Sequence, residues 1–211
     1  MDRAEDRAAA ERLVDVPRET WARLEGLVQA LDRWQAKTNL VSPATLPAIW
    51  TRHVADSLQL LRFAPTPFNT WVDIGSGGGF PGLVVAAALA SQGEVHLVES
   101  NLKKAAFLRE AARDLGGSVR VHSDRAEKVL GRTVTKADVI SARALAPLSQ
   151  LLDLASPLLK TGAIGLFPKG KEAEAELTEA QESWRFKASL HPSLTDPAAC
   201  IVRIDAFEGP R

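Results

Sequence analysis

A glycine-rich loop that follows an aspartate is the part of this sequence whose residue types and spacing most directly indicate chemistry. Residues 72–82 read Val-Asp-Ile-Gly-Ser-Gly-Gly-Gly-Phe-Pro-Gly. Glycine has no Cβ, so the backbone can turn sharply and approach a ligand closely, and Pro81 suits the first position of a helix. A strand, a glycine loop and a helix in this order present backbone N–H groups to a nucleotide-like ligand. The segment therefore predicts an adenosine-containing cofactor, held by Asp73, Gly75, Gly77 and Gly79.

The spacing of these glycines fits two classes of cofactor. Gly75-x-Gly77-x-Gly79 is the loop of many S-adenosylmethionine enzymes, whereas Gly77-x-Gly79-x-x-Gly82 matches the dinucleotide fingerprint. Glu99 closes the second predicted strand, where its carboxylate would accept hydrogen bonds from the ribose hydroxyls of either cofactor. The loop and Glu99 together therefore leave NAD and S-adenosylmethionine both open.

Other candidate residues follow later strands, because open α/β sheets bind ligands beyond the carboxyl ends of their strands. Ser123–Glu127 comes after the third predicted strand, where backbone groups at Ala126 and the nearby acids could fix an adenine. Arg143 follows the fourth strand and could pair with a cofactor carboxylate or a substrate phosphate. Lys169 follows the fifth strand and predicts a basic rim beside the site.

Two N-terminal motifs, Lys37–Ser42 and Arg52–Ser57, mix charged residues with apolar ones. On a helix, Arg52 and Asp56 are four positions apart and can form an ion pair. His53 lies on the adjoining face, and a lone helical histidine is more often structural than catalytic. No second His or Cys stands at a metal-ligand spacing, so we predict no metal site.

Hydrophobic periodicity predicts the scaffold that positions these residues. Residues 1–66 are predicted to form an N-terminal helical extension with helices over Pro17–Lys37 and Leu46–Phe63. Residues 67–211 are predicted to form a Rossmann-like domain in which strands alternate with helices, as in a parallel sheet. The predicted strands are Thr70–Ile74, Val95–Glu99, Ser118–His122, Ala137–Ser141 and Ala163–Pro168. The predicted helices between them are Pro81–Ala90, Asn101–Leu115, Arg125–Leu130 and Ala146–Leu159.

The C-terminal end of the chain separates the two cofactor classes. Ser183–Leu190 and Ala199–Phe207 are extended candidates whose short, proline-containing join leaves no room for a helix, so they should be antiparallel. Five parallel strands followed by an antiparallel hairpin are the arrangement of class I S-adenosylmethionine-dependent methyltransferases. We therefore predict this α/β fold, with a seven-stranded, mostly parallel sheet. An NAD(P)-binding oxidoreductase and a non-catalytic RNA-binding protein of the same fold stay as alternatives.

Composition is typical of a globular protein and does not by itself indicate a nucleic-acid or membrane partner. The formal net charge is zero, although residues 103–136 hold nine bases and four acids, an excess that could meet phosphate. No apolar run approaches the ~20 residues of a membrane helix, and the alternating charges of residues 1–12 do not resemble a signal peptide. Cys200 is the only cysteine, so no intrachain disulfide can form. These features predict a cytoplasmic protein, which we expect to be monomeric.

Several motifs together are more specific than the fold. The chain resembles the RsmG (GidB) family of bacterial 16S rRNA guanine-N7 methyltransferases over most of its length. The residues that carry this resemblance are Asn39-Leu40-Val41-Ser42, Arg52-His53-x-x-Asp56-Ser57, Asp73–Gly82 with its Phe-Pro-Gly ending, Ser141-x-Arg143-Ala144 and Lys169-Gly170. One position departs from the family pattern, because Glu99 stands where Asp is more usual.

The resemblance implies the cofactor, the substrate and roles for individual residues. The cofactor would be S-adenosyl-L-methionine, and the substrate would be guanine 527 in the 530 loop of 16S rRNA in the small ribosomal subunit. The implied cofactor-binding positions are Gly75, Phe80, Ala126, Glu127 and Arg143, with Arg143 also the candidate catalytic residue. The candidate RNA contacts are Asn39, Arg52, His53, Ser141 and Lys169. Guanine N7 has a free lone pair, so this chemistry needs no general base.

Overall fold

A seven-stranded sheet forms the centre of the computed structural model, which describes residues 2–90 and 92–211. The strand order is β3-β2-β1-β4-β5-β7-β6. The first five strands are parallel, and β7 lies antiparallel between β5 and β6. The strands are β1 (Thr70–Ile74), β2 (Glu94–Val98), β3 (Ser118–His122), β4 (Val139–Ser141), β5 (Ile164–Lys169), β6 (Trp184–Pro192) and β7 (Cys200–Pro210). This arrangement confirms the predicted α/β fold and its antiparallel C-terminal hairpin.

Eight α-helices accompany the sheet in the described part of the chain. They are α1 (Arg3–Leu13), α2 (Arg18–Gln35), α3 (Asp56–Leu58), α4 (Gly82–Leu89), α5 (Leu102–Arg113), α6 (Ala126–Val129), α7 (Leu148–Leu159) and α8 (Ala173–Ser183). Hydrophobic periodicity does not predict α1 or α8, because both are rich in charge and alanine and carry no broad apolar stripe. A capping box starts α1, in which the Asp2 side chain accepts from Glu5 N–H and the Glu5 side chain accepts from Asp2 N–H.

Residues 43–63 are helical but not as the single regular helix that was predicted over Leu46–Phe63. A 3₁₀ segment, Pro43–Ala48, leads into a π-helical segment, Trp50–Ala55, which continues through α3 into a second 3₁₀ segment, Gln59–Phe63. Single π-helical turns inside helices are frequent at functional sites. This π-helical segment carries Arg52 and His53.

Hydrophobic residues fill the space on both faces of the sheet. On one face, Trp71 and Leu97 belong to a cluster that also includes residues of α2, α4 and α5. On the other face, Val72 and Ile74 pack in a second cluster that includes residues of α7 and α8. The N-terminal helices therefore share a core with the Rossmann-like part, and the boundary between residues 66 and 67 stays a prediction. No described helix is long and apolar enough to span a bilayer.

Candidate active site

Two adjoining cavities lie at the carboxyl ends of the parallel strands, where the chain order of the sheet reverses between β1 and β4. The larger has a volume of about 800 Å³ and the smaller about 370 Å³. Ligand sites of open α/β sheets are expected at this edge, and these volumes suit drug-sized ligands. The residues that line both cavities are Gly75, Gly77, Lys104, Ala144 and Leu145.

The glycine loop connects β1 to α4 and forms part of the wall of both cavities. Gly75 has a φ of +68° and Gly77 a φ of +54°, which residues with a Cβ rarely adopt. A Cβ on Gly75 would also lie 2.7 Å from Cδ1 of Leu145. The loop therefore needs glycine at both positions for its backbone conformation, while a Cβ on Gly75 would also displace the flexible Leu145 side chain.

Asp73, just before the glycine loop, stabilises the loop through hydrogen bonds in the protein interior. Its side chain is fully buried and lines neither cavity. Its carboxylate accepts hydrogen bonds from the Ser141 hydroxyl at 2.8 Å and from the Gly82 N–H at 3.3 Å. Burial raises the pKa of Asp73 to about 6, against the opposing effect of the Ser141 hydrogen bond. The structure thus differs from the prediction for Asp73, because its buried carboxylate anchors the start of α4 and lines neither cavity.

Two other predicted residues also lie beneath the site. Ser141 is fully buried, where its hydroxyl accepts from Trp71 Nε1 at 2.8 Å and donates to Asp73, so it is not placed to contact RNA. Gly79 is buried and lines neither cavity; its N–H donates to the Ser76 carbonyl at 2.7 Å. Each sits where it supports the fold of the loop.

Glu99 lies at the junction of the glycine loop and β2. One carboxylate oxygen accepts from the Gly77 N–H at 2.9 Å, and the other accepts from the Asn101 N–H at 2.7 Å. Each oxygen keeps a second lone pair, and Glu99 lines the smaller cavity. Ala126 and Glu127, in the first turn of α6, line the same cavity. The structure therefore brings these three predicted cofactor-binding residues together.

Arg143 is held by three groups of the N-terminal segment. Its Nη1 donates to the Arg52 carbonyl at 2.9 Å and to Oδ2 of Asp56 at 3.2 Å, and its Nη2 donates to Nδ1 of His53 at 2.5 Å. The guanidinium carbon lies 5.4 Å from the centre of the Phe80 ring. Burial lowers the pKa of Arg143, while Asp56 raises it. The four-residue spacing predicts that Asp56 pairs with Arg52, whereas in the structure Asp56 pairs with Arg143.

His53 is buried between Arg143 and the first 3₁₀ segment, Pro43–Ala48. Because a guanidinium can only donate, Nδ1 must accept, and the ring proton lies on Nε2. Nε2 therefore donates to the Thr45 hydroxyl at 2.8 Å, and that hydroxyl donates to the Ser42 carbonyl at 2.8 Å. Burial, and then the positive charges of Arg143 and Arg52, lower the pKa of His53 to about 3. His53 is consequently neutral with both ring nitrogens occupied.

The tip of the β6–β7 hairpin lines the larger cavity and contacts the N-terminal segment. Arg52 pairs with Asp196 at 2.7 Å, with about half of the Arg52 side chain exposed. The Thr195 hydroxyl donates to Oδ1 of Asp56 at 2.7 Å. Gln59 accepts from the Leu194 N–H at 2.8 Å. Polar contacts therefore hold the hairpin tip against the N-terminal segment at the wall of the cavity.

Comparison with known proteins assigns the chain to a family. The family model described as rRNA small subunit methyltransferase G matches residues 20–197. The chain belongs to this family. It is 56% identical over 207 residues to the ribosomal RNA small subunit methyltransferase G of Rhodopseudomonas palustris, covering 97% of this chain and 88% of that protein. It is 54% identical to the protein of the same name from Methylobacterium nodulans, covering 98% of each. The predicted family is confirmed.

Solved structures show the same fold at low sequence identity. An O-methyltransferase from Bacillus cereus in complex with SAH has a TM-score of 0.60 and 15% identity, covering 96% of this chain and 97% of that one. A chain of a fibrillarin/Nop5p complex has a TM-score of 0.57 and 18% identity, covering 73% of this chain and 80% of that one. The predicted class I methyltransferase fold is confirmed.

The remaining predicted RNA contacts occupy different surroundings. Asn39 is exposed beside the larger cavity but does not line it. Lys169 lines the cavity, yet it is largely buried and donates to Glu176 and to the Ala146 carbonyl, both at 2.7 Å. Lys169 therefore ties the segment after β4 to α8. In this member of the rRNA small subunit methyltransferase G family, Arg52 is the predicted RNA contact that stands most openly at the cavity.

Sequence reasoning missed other cavity residues because their role depends on distant partners. Thr195 and Asp196 lie in the join between β6 and β7, which was assigned only the role of a connection. Lys104 lines both cavities and belongs to the basic stretch of residues 103–136, so local charge was a usable signal. Thr45 had no signal at all, since its importance comes from His53.

Proposed function

We propose that the two cavities bind S-adenosyl-L-methionine beside a flipped-out guanine of 16S rRNA, and that the protein methylates that guanine at N7. Membership of the rRNA small subunit methyltransferase G family makes the chain a methyltransferase of small-subunit rRNA. The earlier resemblance narrows the acceptor to guanine 527 in the 530 loop. The observation that carries the proposal is the meeting of the glycine loop, Glu99 and Arg143 around two adjoining cavities.

The residues around the smaller cavity fit the adenosine part of this cofactor. Glu99 has lone pairs left for two ribose hydroxyls after its bonds to Gly77 and Asn101. Ala126 and Glu127 face the same space and would hold the adenine. Arg143, at the larger cavity, would pair with the cofactor carboxylate. Asp73 would act only by supporting the loop.

The chemistry requires placement more than proton transfer. When bound, the cofactor supplies a methyl group on a positively charged sulfur, and guanine N7 has a free lone pair that can accept it. The protein's task is to align the reacting atoms and exclude water. Among the buried acid–base groups near the site, His53 has both ring nitrogens occupied, Asp73 lines neither cavity, and Glu99 would hold the ribose hydroxyls. No base needs to be assigned, because N7 carries no proton.

The larger cavity suits the acceptor base. An enzyme that modifies a base must take it out of its stack or act on an unpaired one, and a guanidinium or aromatic face can then hold it. Phe80 and Arg143 line the cavity side by side. Arg52 and Lys104 offer positive charge along its wall for the RNA backbone.

Methyl transfer from tritiated S-adenosylmethionine to small subunits lacking the modification tests the proposal. We expect incorporation into 16S rRNA, with N7-methylguanine at position 527. Arg143→Ala should abolish incorporation in a protein that still folds, although its unfolding midpoint should fall because Asp56 loses its buried partner. Arg12→Ala, which removes an exposed arginine outside both cavities and outside the basic stretch of residues 103–136, should match wild type. Methylation at another atom, or an active Arg143→Ala variant, would contradict the assignment.

The alternatives give different results in two measurements. Calorimetry should detect binding of S-adenosylhomocysteine and none of NADH, whereas an NAD(P)-dependent oxidoreductase would show the reverse. A non-catalytic RNA-binding protein would bind the subunit and transfer no label. No three His, Cys, Asp or Glu side chains of residues 2–90 and 92–211 are grouped as metal ligands. We therefore propose that the activity needs no metal ion bound by the protein. The monomeric state and the cytoplasmic location stay predictions.

A further inference from the structure

Arg143 makes contacts that determine its orientation and still leave donors for a ligand. A guanidinium has five N–H donors in a fixed plane. Three of them donate to the Arg52 carbonyl, Asp56 and His53. The Nε–H and the second Nη2 hydrogen have no protein partner among residues 2–90 and 92–211, and Arg143 lines the larger cavity. The plane of the group is therefore fixed by the N-terminal segment, while two donors stay available for an oxyanion.

The two side chains that hold Arg143 are themselves held. His53 is fixed through Nε2 by Thr45, and its ring centre lies 4.9 Å from that of Phe80. Asp56 accepts at its other oxygen from Thr195 and from Nε2 of Gln59 at 2.9 Å. Neither side chain has a free rotation that would leave these contacts intact. The orientation of Arg143 is thus determined by residues from the N-terminal segment and from the hairpin tip.

We propose that His53 and Asp56 are positioning residues that aim Arg143 into the cavity, and that His53 does so as a neutral imidazole with its proton on Nε2. This inference rests on the proposed function, because the oxyanion that Arg143 meets would be the cofactor carboxylate or an RNA phosphate. It reassigns His53, which the sequence suggested as an RNA contact, to a role that operates through Arg143. The charged groups around His53 are Arg143, Arg52 and Asp56.

Asparagine offers a sharp test at position 53. Its side-chain carbonyl can replace Nδ1 as an acceptor for Arg143, whereas alanine removes the acceptor. We expect His53→Ala to reduce S-adenosylhomocysteine affinity or the single-turnover rate by about 100-fold, the effect of a small misplacement of a binding group. His53→Asn should recover most of that loss. His122→Asn, on β3 outside both cavities, should match wild type.

The two readouts identify which oxyanion Arg143 meets. A weaker calorimetric affinity for S-adenosylhomocysteine in His53→Ala identifies the cofactor carboxylate. An unchanged affinity with a slower single turnover on small subunits at saturating cofactor identifies an RNA phosphate. Asp56→Asn should move the same readout as His53→Ala. Equal behaviour of His53→Ala and wild type, or of His53→Ala and His53→Asn, overturns the proposal.

Nuclear magnetic resonance of the wild-type protein tests the state of His53 without any activity assay. The ¹⁵N shifts of its ring should show a protonated Nε2 and an unprotonated Nδ1 throughout pH 5–8. A His53 ring that titrates in this range overturns the inference, even where a variant fails to fold. If the wild type binds S-adenosylhomocysteine but does not methylate subunits, the proposed function fails. In that case the ¹⁵N shifts of the His53 ring and the S-adenosylhomocysteine affinities of the variants still test whether His53 positions Arg143.

Discussion

The N-terminal helix supports the site through one buried carboxylate, and its removal gives a prediction that the structure quantifies. Asp6, on α1, is fully buried. It accepts from Trp50 N–H at 2.8 Å, from Thr51 N–H at 3.2 Å and from the Thr51 hydroxyl at 2.6 Å. These are the first two residues of the π-helical segment, which continues into Arg52 and His53. Asp6 therefore holds the beginning of the segment that orients Arg143.

Asp6→Ala removes the acceptor of two backbone donors. A buried donor left without a partner costs about 1–3 kcal/mol. Trp50 is buried, so its N–H meets the full cost, whereas Thr51 is half-buried and water can replace part of its loss. We expect the free energy of unfolding to fall by about 3 kcal/mol. Asp6→Asn keeps one acceptor oxygen and should lose about half as much.

Urea unfolding followed by tryptophan fluorescence measures this loss. Glu11→Ala is the matched control on the same helix, because it removes only the exposed Arg7–Glu11 ion pair. Such a pair contributes less than about 0.5 kcal/mol. Asp6→Ala should also slow methyl transfer more than Glu11→Ala does. If the two variants unfold within about 0.5 kcal/mol of each other, the segment is held by its apolar packing and the reasoning fails.

Three further predictions concern groups beneath and beside the cavity. The pKa of Asp73 is about 6 in the folded protein, against an ordinary value of 3.8. Between these pH values the folded protein keeps a proton on Asp73 that the unfolded chain has released. The free energy of unfolding therefore falls by about 3 kcal/mol as pH rises through this window. Asp73→Asn should lack that slope in urea unfolding at pH 4 and 7, and an identical slope would refute the burial effect. Ala144 has a φ of +52°, so Ala144→Gly should raise the free energy of unfolding by about 1 kcal/mol; a loss of stability would contradict this. Lys169→Met leaves Glu176 without its buried partner and should lower the free energy of unfolding by about 3 kcal/mol. Glu176→Gln and the double variant complete a double-mutant cycle. A coupling energy of zero would show that the ion pair does not stabilise the fold.

The strands, the C-terminal hairpin and the glycine loop could be predicted from the sequence because each depends on residues that are close together in the chain. Alternation and apolar runs locate the strands within a few residues, as for Thr70–Ile74 and Ser118–His122. The positive φ values of the loop restrict it to glycine, so its function is visible in residue types alone. The join between the last two strands was too short for a helix, which determined their antiparallel pairing.

Only the tertiary structure decided which polar groups meet. Asp56 could pair with Arg52 four positions away, but it pairs with Arg143, which lies 87 positions away. The sheet brings the end of β4 to the N-terminal segment, and burial there makes an unpartnered guanidinium too costly. Spacing along the chain cannot reveal a partner that folding supplies from another element.

The same reason explains why two residues that were predicted to contact a ligand instead support the glycine loop. Asp73 and Ser141 stand at strand ends, where sequence reasoning expects side chains that face a ligand. Their strands are neighbours in register, so the two side chains satisfy each other under the loop. The sequence by itself determined the family, the fold and the edge of the sheet where ligands bind. The tertiary structure decided which residues at that edge face the cavity, because hydrogen-bond partners and burial depend on packing between distant segments.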